Sequence, residues 1–477
     1  MRNEQEQNRL DKITENSYPN SFKSNTSIKE FSYFFPEEGI FYKTKEQLDE
    51  SPEEERLFSV AGRIGSIRMM GKMGFIHIHN VFDKLQIFVG KNILGEESFK
   101  EVKDYDLGDI IGVKGLISRS NTGELTLRAE SVEFISKSIK VINKISDELD
   151  SNTDDDIRYR NRHLDLISHG AERFIKRSHI IKSVRDTLNS QDFLEVETPI
   201  LHDYATGASA EPFETHHNSL GMDLRLRIAP ELHLKKLIVG GLEKVFELGR
   251  NFRNEGIDIS HNPEFTMCEW YEAYKTVDDA IELTKAVVNN ACESVGKTPY
   301  DFDIVNMVDA VAEITEESIV KDAYDDKNQM LLIAIANKLE HLITDDMGAG
   351  KILSILFEEL CEVNLHNPTF VTGYPAEISP LARRNNNNPF FVDRFELFID
   401  GMEIANGYSE MNNPIQQKEA FEKQGVVIQS YIDALEAGMP FAAGVGIGID
   451  RLVMLLTDTK NIRDVVLFPQ LKEVPNV

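Results

Sequence analysis

Two predicted strands between residues 226 and 274 present charged and aromatic side chains at a spacing that could bind a nucleotide. Arg253 ends the first strand. The returning strand alternates, so Phe265, Glu269 and Tyr271 share one face. An arginine fork offers directed donors to a reacting phosphate, and an aromatic face can stack on adenine. The competing interpretation is an amphipathic hairpin with solvated charges.

A second predicted hairpin places two glutamates where they could bind a metal ion. Asp400 and Gly401 form a strong two-residue turn signal, and the resulting register puts Glu396 and Glu403 on one face. Two carboxylates on one face repel each other unless a cation lies between them, and hard oxygen ligands suit Mg²⁺. Two solvated glutamates are the alternative.

Asn406, Tyr408 and Glu410 follow on the same strand, but strict alternation places them on the face opposite Glu403. Both sets of side chains can line one pocket only if the strand is irregular. The sequence therefore predicts a bulge or twist between residues 404 and 406.

Together the two hairpins predict a half-aromatic slot that holds two carboxylates, with Glu269 and Tyr271 opposite Tyr408 and Glu410. Buried carboxylates that lack a partner are unstable. Such a slot favours a compact cation, such as the ε-ammonium group of lysine, and repels an anionic side chain.

The composition indicates a globular chain with an acidic balance. The chain has 477 residues, of which 41% are hydrophobic and 28% charged, and its net charge is −28. This length allows two or three domains with a large core. There is no long apolar run or signal peptide, and three distant cysteines form neither a disulfide nor a zinc pattern, which predicts a cytosolic protein. The charge counts against a nucleic-acid partner unless the surface is polarised, with a local basic face.

The N-terminal third divides into two predicted regions. Residues 1–56 read as an extension and linker, with either a short helix or a frayed tail before Tyr18 and an acidic loop or linker over residues 49–55. Residues 57–150 contain five short alternating segments separated by turn residues. This pattern predicts a small closed barrel of the oligonucleotide-binding (OB) type.

Four polar or aromatic residues of the predicted barrel could contact bases. Phe75 and Gln86 lie on neighbouring predicted strands, with Arg68 on the entering loop and Glu124 at the tip of the last hairpin. An aromatic ring and an amide can read unstacked single-stranded bases. Each residue alone fits an ordinary barrel surface equally well.

The elements of residues 151–477 alternate between helices and strands. Residues 173–189 show helical periodicity, and a strand over 193–201 follows that closes on Pro199. Residues 276–361 are predicted to form an inserted helical region. A glycine-rich strand near the C-terminus leads into a helix that begins near Asp450 and Arg451.

Several of these segments resemble the class II aminoacyl-tRNA synthetases. FRNEG, HNPEFT and EWYEAY are similar to the second motif of that class and fit its lysine-specific members closely. The helix followed by FLEVETPIL resembles the first motif, the dimer interface of the family, and the glycine-rich strand with its helix resembles the third. RYRNRHLDL resembles the entry to the catalytic domain. VAGRI, RMMGK, LGDIIGV and TGEL resemble the anticodon-binding domain of lysyl-tRNA synthetases.

The resemblance implies a role for each candidate residue. The residues implied for ATP are Arg253 at the α-phosphate, Glu255 at the adenine, His261 at the outer phosphates, Phe265 stacked on the base, Arg451 at the terminal phosphates, and Glu396. The residues implied for lysine are Gly207, Glu231 (for the α-ammonium group), Arg253, Glu269, Tyr271, Asn406, Tyr408 and Glu410. Mg²⁺ would be held by Glu396 and Glu403, and Arg253 and Arg451 would be the catalytic residues. Arg68, Phe75, Gln86 and Glu124 would read a uridine-rich anticodon.

The sequence departs from the family pattern at three places. Thr206 and Glu211 stand where a glycine and an arginine are usual in the small-residue loop, and Phe441-Ala442 replaces the usual Pro-Thr. These departures affect the loop beside the substrate and one wall of the pocket.

The expected fold is α+β: an N-terminal five-stranded OB barrel, then a class II catalytic domain on an antiparallel sheet with an inserted helical region. The expected activity is ATP-dependent attachment of L-lysine to tRNA(Lys) through lysyl-adenylate. The resemblance further implies Mg²⁺ as cofactor, a homodimer formed around residues 173–200, no membrane segment and a cytoplasmic location. Two alternatives stay open, namely an aspartyl- or asparaginyl-tRNA synthetase and a catalytically inactive RNA-binding paralogue.

Overall fold

A computed structural model describes residues 3–14, 17–36, 43–141, 155–203, 210–423 and 425–472. The chain divides into two compact units, Met1–Glu172 and Arg173–Val477. The predicted ligand residue Gly207 and the domain boundary predicted near residue 150 lie outside the described residues.

The first unit is built around a closed five-stranded barrel, as predicted. Its strands are β1 (Leu57–Met70), β2 (Met73–His79), β3 (Lys84–Gly90), β4 (Ile110–Arg119) and β5 (Leu125–Ser136), in the order β1-β2-β3-β5-β4. Alternate apolar residues point inward, as in β2, where Ile76 and Ile78 are fully buried.

The helices of the first unit are short. They are α1 (Glu4–Asp11), α2 (Ile28–Phe34), α3 (Lys45–Asp49), α4 (Glu53–Arg56), α5 (Lys91–Leu94), α6 (Glu96–Lys103), α7 (Asp155–Arg160) and α8 (Arg162–His169). The predicted first helix is confirmed and it packs on the unit, because Arg9 donates a hydrogen bond of 2.8 Å to the carbonyl of Lys140. Ile28 and Phe31 of α2 belong to the barrel core.

Two expectations for this unit are wrong. The acidic run over residues 49–55 is not a loop, because α3 and α4 occupy most of it. Asp49 accepts a hydrogen bond of 2.6 Å from the Ser118 hydroxyl, which holds the run against β4. Arg68 lies inside β1 and pairs directly with Phe75 instead of lying on a loop, because the strand pairs with β2 up to the tight turn that separates Met70 from Met73.

An eight-stranded sheet forms the centre of the second unit, in the order β12-β13-β14-β15-β16-β11-β10-β6. The strands of the unit are β6 (Leu194–Glu195), β7 (Leu201–His202), β8 (Glu214–His217), β9 (Met222–Leu226), β10 (Lys244–Phe252), β11 (Glu264–Ala273), β12 (Asp303–Asn306), β13 (Thr369–Thr372), β14 (Arg394–Ile399), β15 (Met402–Ser409) and β16 (Ala442–Gly448). The inner pairs are antiparallel, as predicted, and only the outermost pairs β12–β13 and β6–β10 are parallel within the described residues. Strands β7, β9 and β8 form a separate small sheet.

Helices cover one face of the large sheet and only part of the other face, which we call the open face. The helices of this unit are α9 (Glu172–Ser190), α10 (Glu231–Val239), α11 (Val277–Ser294), α12 (Met307–Ile314), α13 (Ile319–Ala323), α14 (Lys327–Ala336), α15 (Ala349–Leu360), α16 (Pro414–Lys423), α17 (Gln429–Glu436), α18 (Ile449–Leu456) and α19 (Ile462–Val465). Val184 of α9, Val288 of α11 and Val453 of α18 share one core with Leu397 and Val445 of the sheet. Because side chains alternate along a strand, the residues between these buried ones face the open side.

The region predicted to be helical over residues 276–361 has two parts. Helix α11 packs on the central sheet, and β12 joins the edge of that sheet. Helices α12, α14 and α15 instead enclose a second core that contains Met330 and Leu356. The strand was missed because β12 has only four residues and no buried alternation.

The strand predicted over residues 193–201 is interrupted. Only β6 pairs with the large sheet, and β7 belongs to the small sheet. Pro199 has no amide hydrogen to donate to a ladder. The amide of Thr198 donates to a side-chain oxygen of Glu247 at 3.1 Å instead of to a neighbouring strand.

Candidate active site

Two rows of residues cross the open face of the sheet. In one row, Tyr408 of β15 and Tyr271 of β11 flank Gly444 of β16, and in the next, Asn406 and Glu269 flank Gly446. A β-carbon at Gly444 would lie 2.3 Å from Cε1 of Tyr271 and 2.4 Å from Oε1 of Glu410. The glycines therefore leave a groove between two walls of functional side chains. The predicted glycine-rich strand and its following helix are confirmed as β16 and α18.

A β-bulge brings the residues of β15 to this face. Phe398 pairs with Glu403, but Leu397 pairs with Ala405, so Ile404 is the extra residue. The bulge lies at the N-terminal edge of the predicted interval. Beyond the bulge, Asn406 pairs with Glu396. The bulge therefore brings Asn406 and Tyr408 to the same face of the sheet as Glu403, as predicted.

Most of the predicted site residues line one cavity of about 350 Å³. The predicted residues in its lining are Glu231, Arg253, Glu255, His261, Phe265, Glu269, Tyr271, Glu403, Asn406, Tyr408 and Arg451. Glu396 and Glu410 lie behind this lining and contact its members. The structure thus brings together residues that are up to about two hundred positions apart in the chain.

Arg253, for which the resemblance implies a contact with the α-phosphate, lines the cavity. Its guanidinium carbon lies 5.1 Å from the centre of the Phe265 ring. Its Nε is buried and has no hydrogen-bond partner within the described parts of the chain. Because an unpaired buried donor is unfavourable, this position should attract an anionic acceptor.

Arg451, His261 and Asp258 form a second group at the same end. Arg451 Nη2 lies 3.0 Å from Nε2 of His261, and His261 Nδ1 lies 2.8 Å from Oδ2 of Asp258. Arginine can only donate, so Nε2 of His261 must accept and its proton must be on Nδ1. Burial raises the pKa of Asp258, but hydrogen bonds from Ser260 and His261 outweigh it and lower the pKa to about 2.

The two glutamates predicted to bind metal already have protein partners. Arg451 Nη1 donates to Oε2 of Glu403 at 3.1 Å. Glu396 contacts Arg394 and accepts a hydrogen bond of 2.9 Å from the Tyr374 hydroxyl. Burial and the nearby charge of Glu403 raise the pKa of Glu396, and Arg394 opposes them. The net result is a pKa of about 7. The described residues contain no group of three or more metal-binding side chains that could hold an ion by themselves.

Acidic and phenolic groups crowd the other end of the cavity. Tyr408 donates a hydrogen bond of 2.6 Å to Glu231, and Tyr271 donates one of 3.0 Å to Glu269. Glu269 is 4% exposed. Burial, together with the charge of Glu231, raises the pKa of Glu269 to about 8. Burial likewise raises the pKa of Glu410, against the opposing effect of a neighbouring lysine.

That neighbour, Lys235, was not found from the sequence. Its ammonium group lies 2.5 Å from Oε1 of Glu231 and forms an ion pair with Glu410, and the residue is fully buried. The spacing of four residues from Glu231 on a predicted helix could have indicated the first contact, since such residues are neighbours on a helix.

Arg177 and Asp450 are further residues that the sequence did not reveal. Arg177 of α9 lies 2.5 Å from Asp450 of α18 and donates to the Thr266 hydroxyl at 3.1 Å. Asp450 also accepts the backbone amide of Thr266 at 2.7 Å. This group joins three segments that resemble the three class II motifs.

Of the departures from the family pattern, Thr206 lies outside the described residues. The carbonyl of Glu211 accepts the amide of Asn254, next to Arg253, at 2.7 Å. Phe441 is 44% exposed and packs edge-on against Tyr274.

The predicted base-reading residues of the barrel lie close together on β1, β2, β3 and the turn before β5. Phe75 pairs with Arg68 on one side and with Phe88 on the other. Gln86 donates to Glu124 at 2.5 Å. His77, which was not predicted, lies 2.9 Å from Glu124, and the alternation of β2 could have placed it on the face of Phe75.

Comparison with known families identifies the class to which this fold and site belong. The family described as class II tRNA synthetases (D, K and N) matches residues 154–472, and an OB-fold nucleic acid binding domain matches residues 58–135. The barrel and the site on the antiparallel sheet are therefore those of a class II aminoacyl-tRNA synthetase.

Similar proteins narrow the class further. A lysine–tRNA ligase of Listeria innocua is 46% identical over 455 residues, which cover 90% of this chain and 89% of that protein. Lysine–tRNA ligases of Fusobacterium nucleatum and Enterococcus faecalis are each 45% identical, and the alignments cover 89% and 90% of this chain and 90% and 89% of those proteins. The chain belongs to the lysine–tRNA ligase family. None of the helices in the described ranges has the length and apolar content required to cross a bilayer.

Proposed function

We propose that the protein attaches L-lysine to tRNA(Lys) in two steps that consume ATP. First, the lysine carboxylate attacks the α-phosphate of ATP, which gives lysyl-adenylate and pyrophosphate. A hydroxyl of the terminal ribose of tRNA then attacks the lysyl carbonyl, and AMP leaves. The observation on which the proposal rests is that acidic residues, Glu231 and Glu269, line the same cavity as Arg253 and Arg451.

The first step depends on positioning and charge neutralisation, because no side chain is required as a covalent nucleophile. Arg253 donates to the α-phosphate, where negative charge builds up during attack, and its unpaired buried Nε supports this role. Phe265 stacks on the adenine, which Glu255 also contacts. Arg451 donates to the outer phosphates, which His261 also contacts.

Glu396 and Glu403 would hold Mg²⁺. They lie on one face of the β14–β15 hairpin, and the charge of Glu403 raises the pKa of Glu396, as expected for two neighbouring carboxylates that a cation would relieve. Two carboxylates suit Mg²⁺, which usually takes its other ligands from phosphates and water. When bound, the ion neutralises charge on the phosphates.

Lysine lies along the groove with its carboxylate toward Arg253 and Asn406 and its α-ammonium group at Glu231. Its ε-ammonium group enters the slot formed by Glu269, Tyr271, Tyr408 and Glu410, and Gly207 contributes from its loop. An aspartate side chain would meet these carboxylates as a like charge. The acidic slot therefore disfavours aspartate, and the neutral amide of asparagine would leave the buried carboxylates of the slot without a cation.

The barrel, placed at residues 57–150, binds the anticodon of tRNA(Lys) through Arg68, Phe75, Gln86 and Glu124, while residues 151–477 form the catalytic domain. The protein acts in the cytoplasm as a homodimer formed around residues 173–200. The exposed apolar side chains of Leu194, Ile200 and Leu201 support this interface, since they are 44–51% exposed in the single chain.

Amino-acid-dependent exchange between ATP and pyrophosphate tests the proposal. We expect exchange with lysine and none above background with aspartate or asparagine, and aminoacylation of tRNA(Lys) with lysine. Exchange with aspartate or asparagine alone would establish instead that the protein is an aspartyl- or asparaginyl-tRNA synthetase. Absence of all exchange in protein that binds tRNA would establish an inactive paralogue.

A further inference from the structure

Lys235 is a buried cation at the acidic end of the cavity. Its side chain is completely buried, which is rare for lysine and requires partners. Its ammonium group lies 2.5 Å from Glu231 and pairs with Glu410. The same group lies 5.2 Å and 5.9 Å from the ring centres of Tyr408 and Tyr271. One protein ammonium group therefore contacts two of the residues proposed to bind substrate lysine.

Titratable groups from four elements surround this ammonium group. They are Glu231 on α10, Glu269 and Tyr271 on β11, Tyr408 on β15 with Glu410 directly after it, and Tyr431 on α17. Burial lowers the pKa of Lys235, but the charges of Glu231 and Glu410 raise it well above its ordinary value. Lys235 is therefore charged throughout the physiological range.

The charges of this group match the charges of one amino acid. When Glu231, Glu269 and Glu410 are ionised, Lys235 neutralises one of them and leaves two negative charges. Lysine brings two ammonium groups. Without Lys235, the slot would hold three negative charges, and one would stay unpaired after lysine had bound, at a high cost for a buried site.

We propose that Lys235 is a positioning residue that determines specificity: its ammonium group neutralises one carboxylate and orients Glu231 and Glu410, so that two negative charges remain for the two ammonium groups of lysine. This inference rests on the proposed function. Lys235 does not line the cavity, but under this proposal it controls the charge that the cavity presents to the amino acid.

The variant Lys235→Met, which has a similar length and no charge, tests the proposal in the full-length protein. We expect KM for lysine in pyrophosphate exchange to rise about tenfold or more, which corresponds to ~1.4 kcal/mol. KM for ATP should change by less than about threefold, because the nucleotide end is unaffected. The matched control is Lys236→Met, the next residue of the same helix, whose ammonium group lies at the surface near Ser430.

The pH dependence separates a charge effect from a packing defect. In Lys235→Met, the remaining carboxylates repel each other and hold protons more strongly. The rise of kcat/KM for lysine with pH should therefore move to higher pH than in the unsubstituted protein. A packing defect would lower kcat/KM equally at every pH, and that result would overturn the proposal.

The double variant Lys235→Met/Glu410→Gln covers the case in which the single variant does not fold. It removes both members of the ion pair and restores two negative charges, so we expect it to fold and to show an effect smaller than the sum of the two single effects. Additive effects, or a Lys235→Met variant that behaves like Lys236→Met, would overturn the inference. The proposed function would still stand in either case if the unsubstituted protein showed lysine-dependent exchange. Failure of that exchange would refute both.

Discussion

Under the proposed function, Glu269 both binds the ε-ammonium group of lysine and releases a proton to solvent when lysine binds. Its carboxyl group is buried, and burial together with Glu231 raises its pKa to about 8. Because this value lies above that of an exposed glutamate, the folded protein binds a proton that the unfolded chain releases. The carboxyl therefore costs no stability below about pH 4.5. Above this pH the unfolded chain releases the proton that the folded protein keeps, so the free protein loses stability as pH rises toward 8. An ammonium group in contact with Glu269 would favour the ionised form and lower its pKa.

Binding of lysine should therefore release protons at pH 7. We expect calorimetry in two buffers of different ionisation enthalpy to show release of up to about one proton per lysine, and affinity to increase between pH 7 and about 8.5. Glu269→Gln should reduce the release and weaken binding about tenfold or more, because a hydrogen bond to a charged group is lost. Binding heats that are independent of the buffer would contradict this account of Glu269.

At the scale of elements, Arg177 links helix α9 to the site. It reaches Asp450 at the start of α18, next to Arg451, and Thr266 in β11, next to Phe265. Asp450 is 2% exposed, and Arg177 is its ion-pair partner in this buried position. The position of Arg451 is thereby coupled to the helix that the proposed dimer interface includes.

Replacement of Arg177 by methionine should lower the rate of pyrophosphate exchange. We expect kcat to fall about tenfold or more with a smaller change in KM for lysine, since loss of one partner of a buried pair typically costs about 3–5 kcal/mol and would let α18 shift. Arg173→Met is the control, because Arg173 lies on the same helix and pairs at 3.1 Å with Asp464 near its surface. Equal kinetics for the two variants would argue against the coupling.

Local patterns in the sequence were sufficient to predict secondary-structure elements and the face on which a side chain lies. They were not sufficient to predict which strands are neighbours in the sheet. Alternation placed Glu269 and Tyr271 on one face, and the Asp400-Gly401 turn fixed the hairpin register, because both depend on nearby residues. The alignment of Gly444 with Tyr271 joins strands about 170 residues apart, and no local period encodes it. Lys235 was missed for a related reason, since its partner Glu410 is distant in the chain.

At the scale of the whole molecule, the two units have separate proposed roles. The first unit binds the anticodon of the RNA, and the second binds the amino acid and ATP. The chain has a net charge of −28, so binding of a polyanion must rely on local surfaces and on stacking. Phe75 lies on the barrel strip with Arg68, Gln86 and Glu124. Stacking on an aromatic side chain contributes about 1–3 kcal/mol per base.

Phe75→Ala should therefore lower kcat/KM for tRNA(Lys) in aminoacylation by about 5- to 150-fold, the range that such a loss of stacking predicts. Exchange of pyrophosphate in the absence of tRNA should stay within about twofold, because the proposed ATP and lysine site lies in the other unit. Phe82→Ala is the control, since Phe82 is an exposed phenylalanine of the same unit. Equal aminoacylation by both variants would place the anticodon elsewhere.

The bulge in β15 makes this strand respond differently to shortening and lengthening. Ile404 is one residue more than the pairing requires. Its deletion would remove a buried side chain but would leave Asn406 opposite Glu396 and Tyr408 opposite Arg394. A residue added between Asn406 and Tyr408 would instead rotate Tyr408 into the apolar layer behind the sheet. During divergence of such proteins, this strand can lose a residue at one point, whereas gaining one would separate the two halves of its ligand surface.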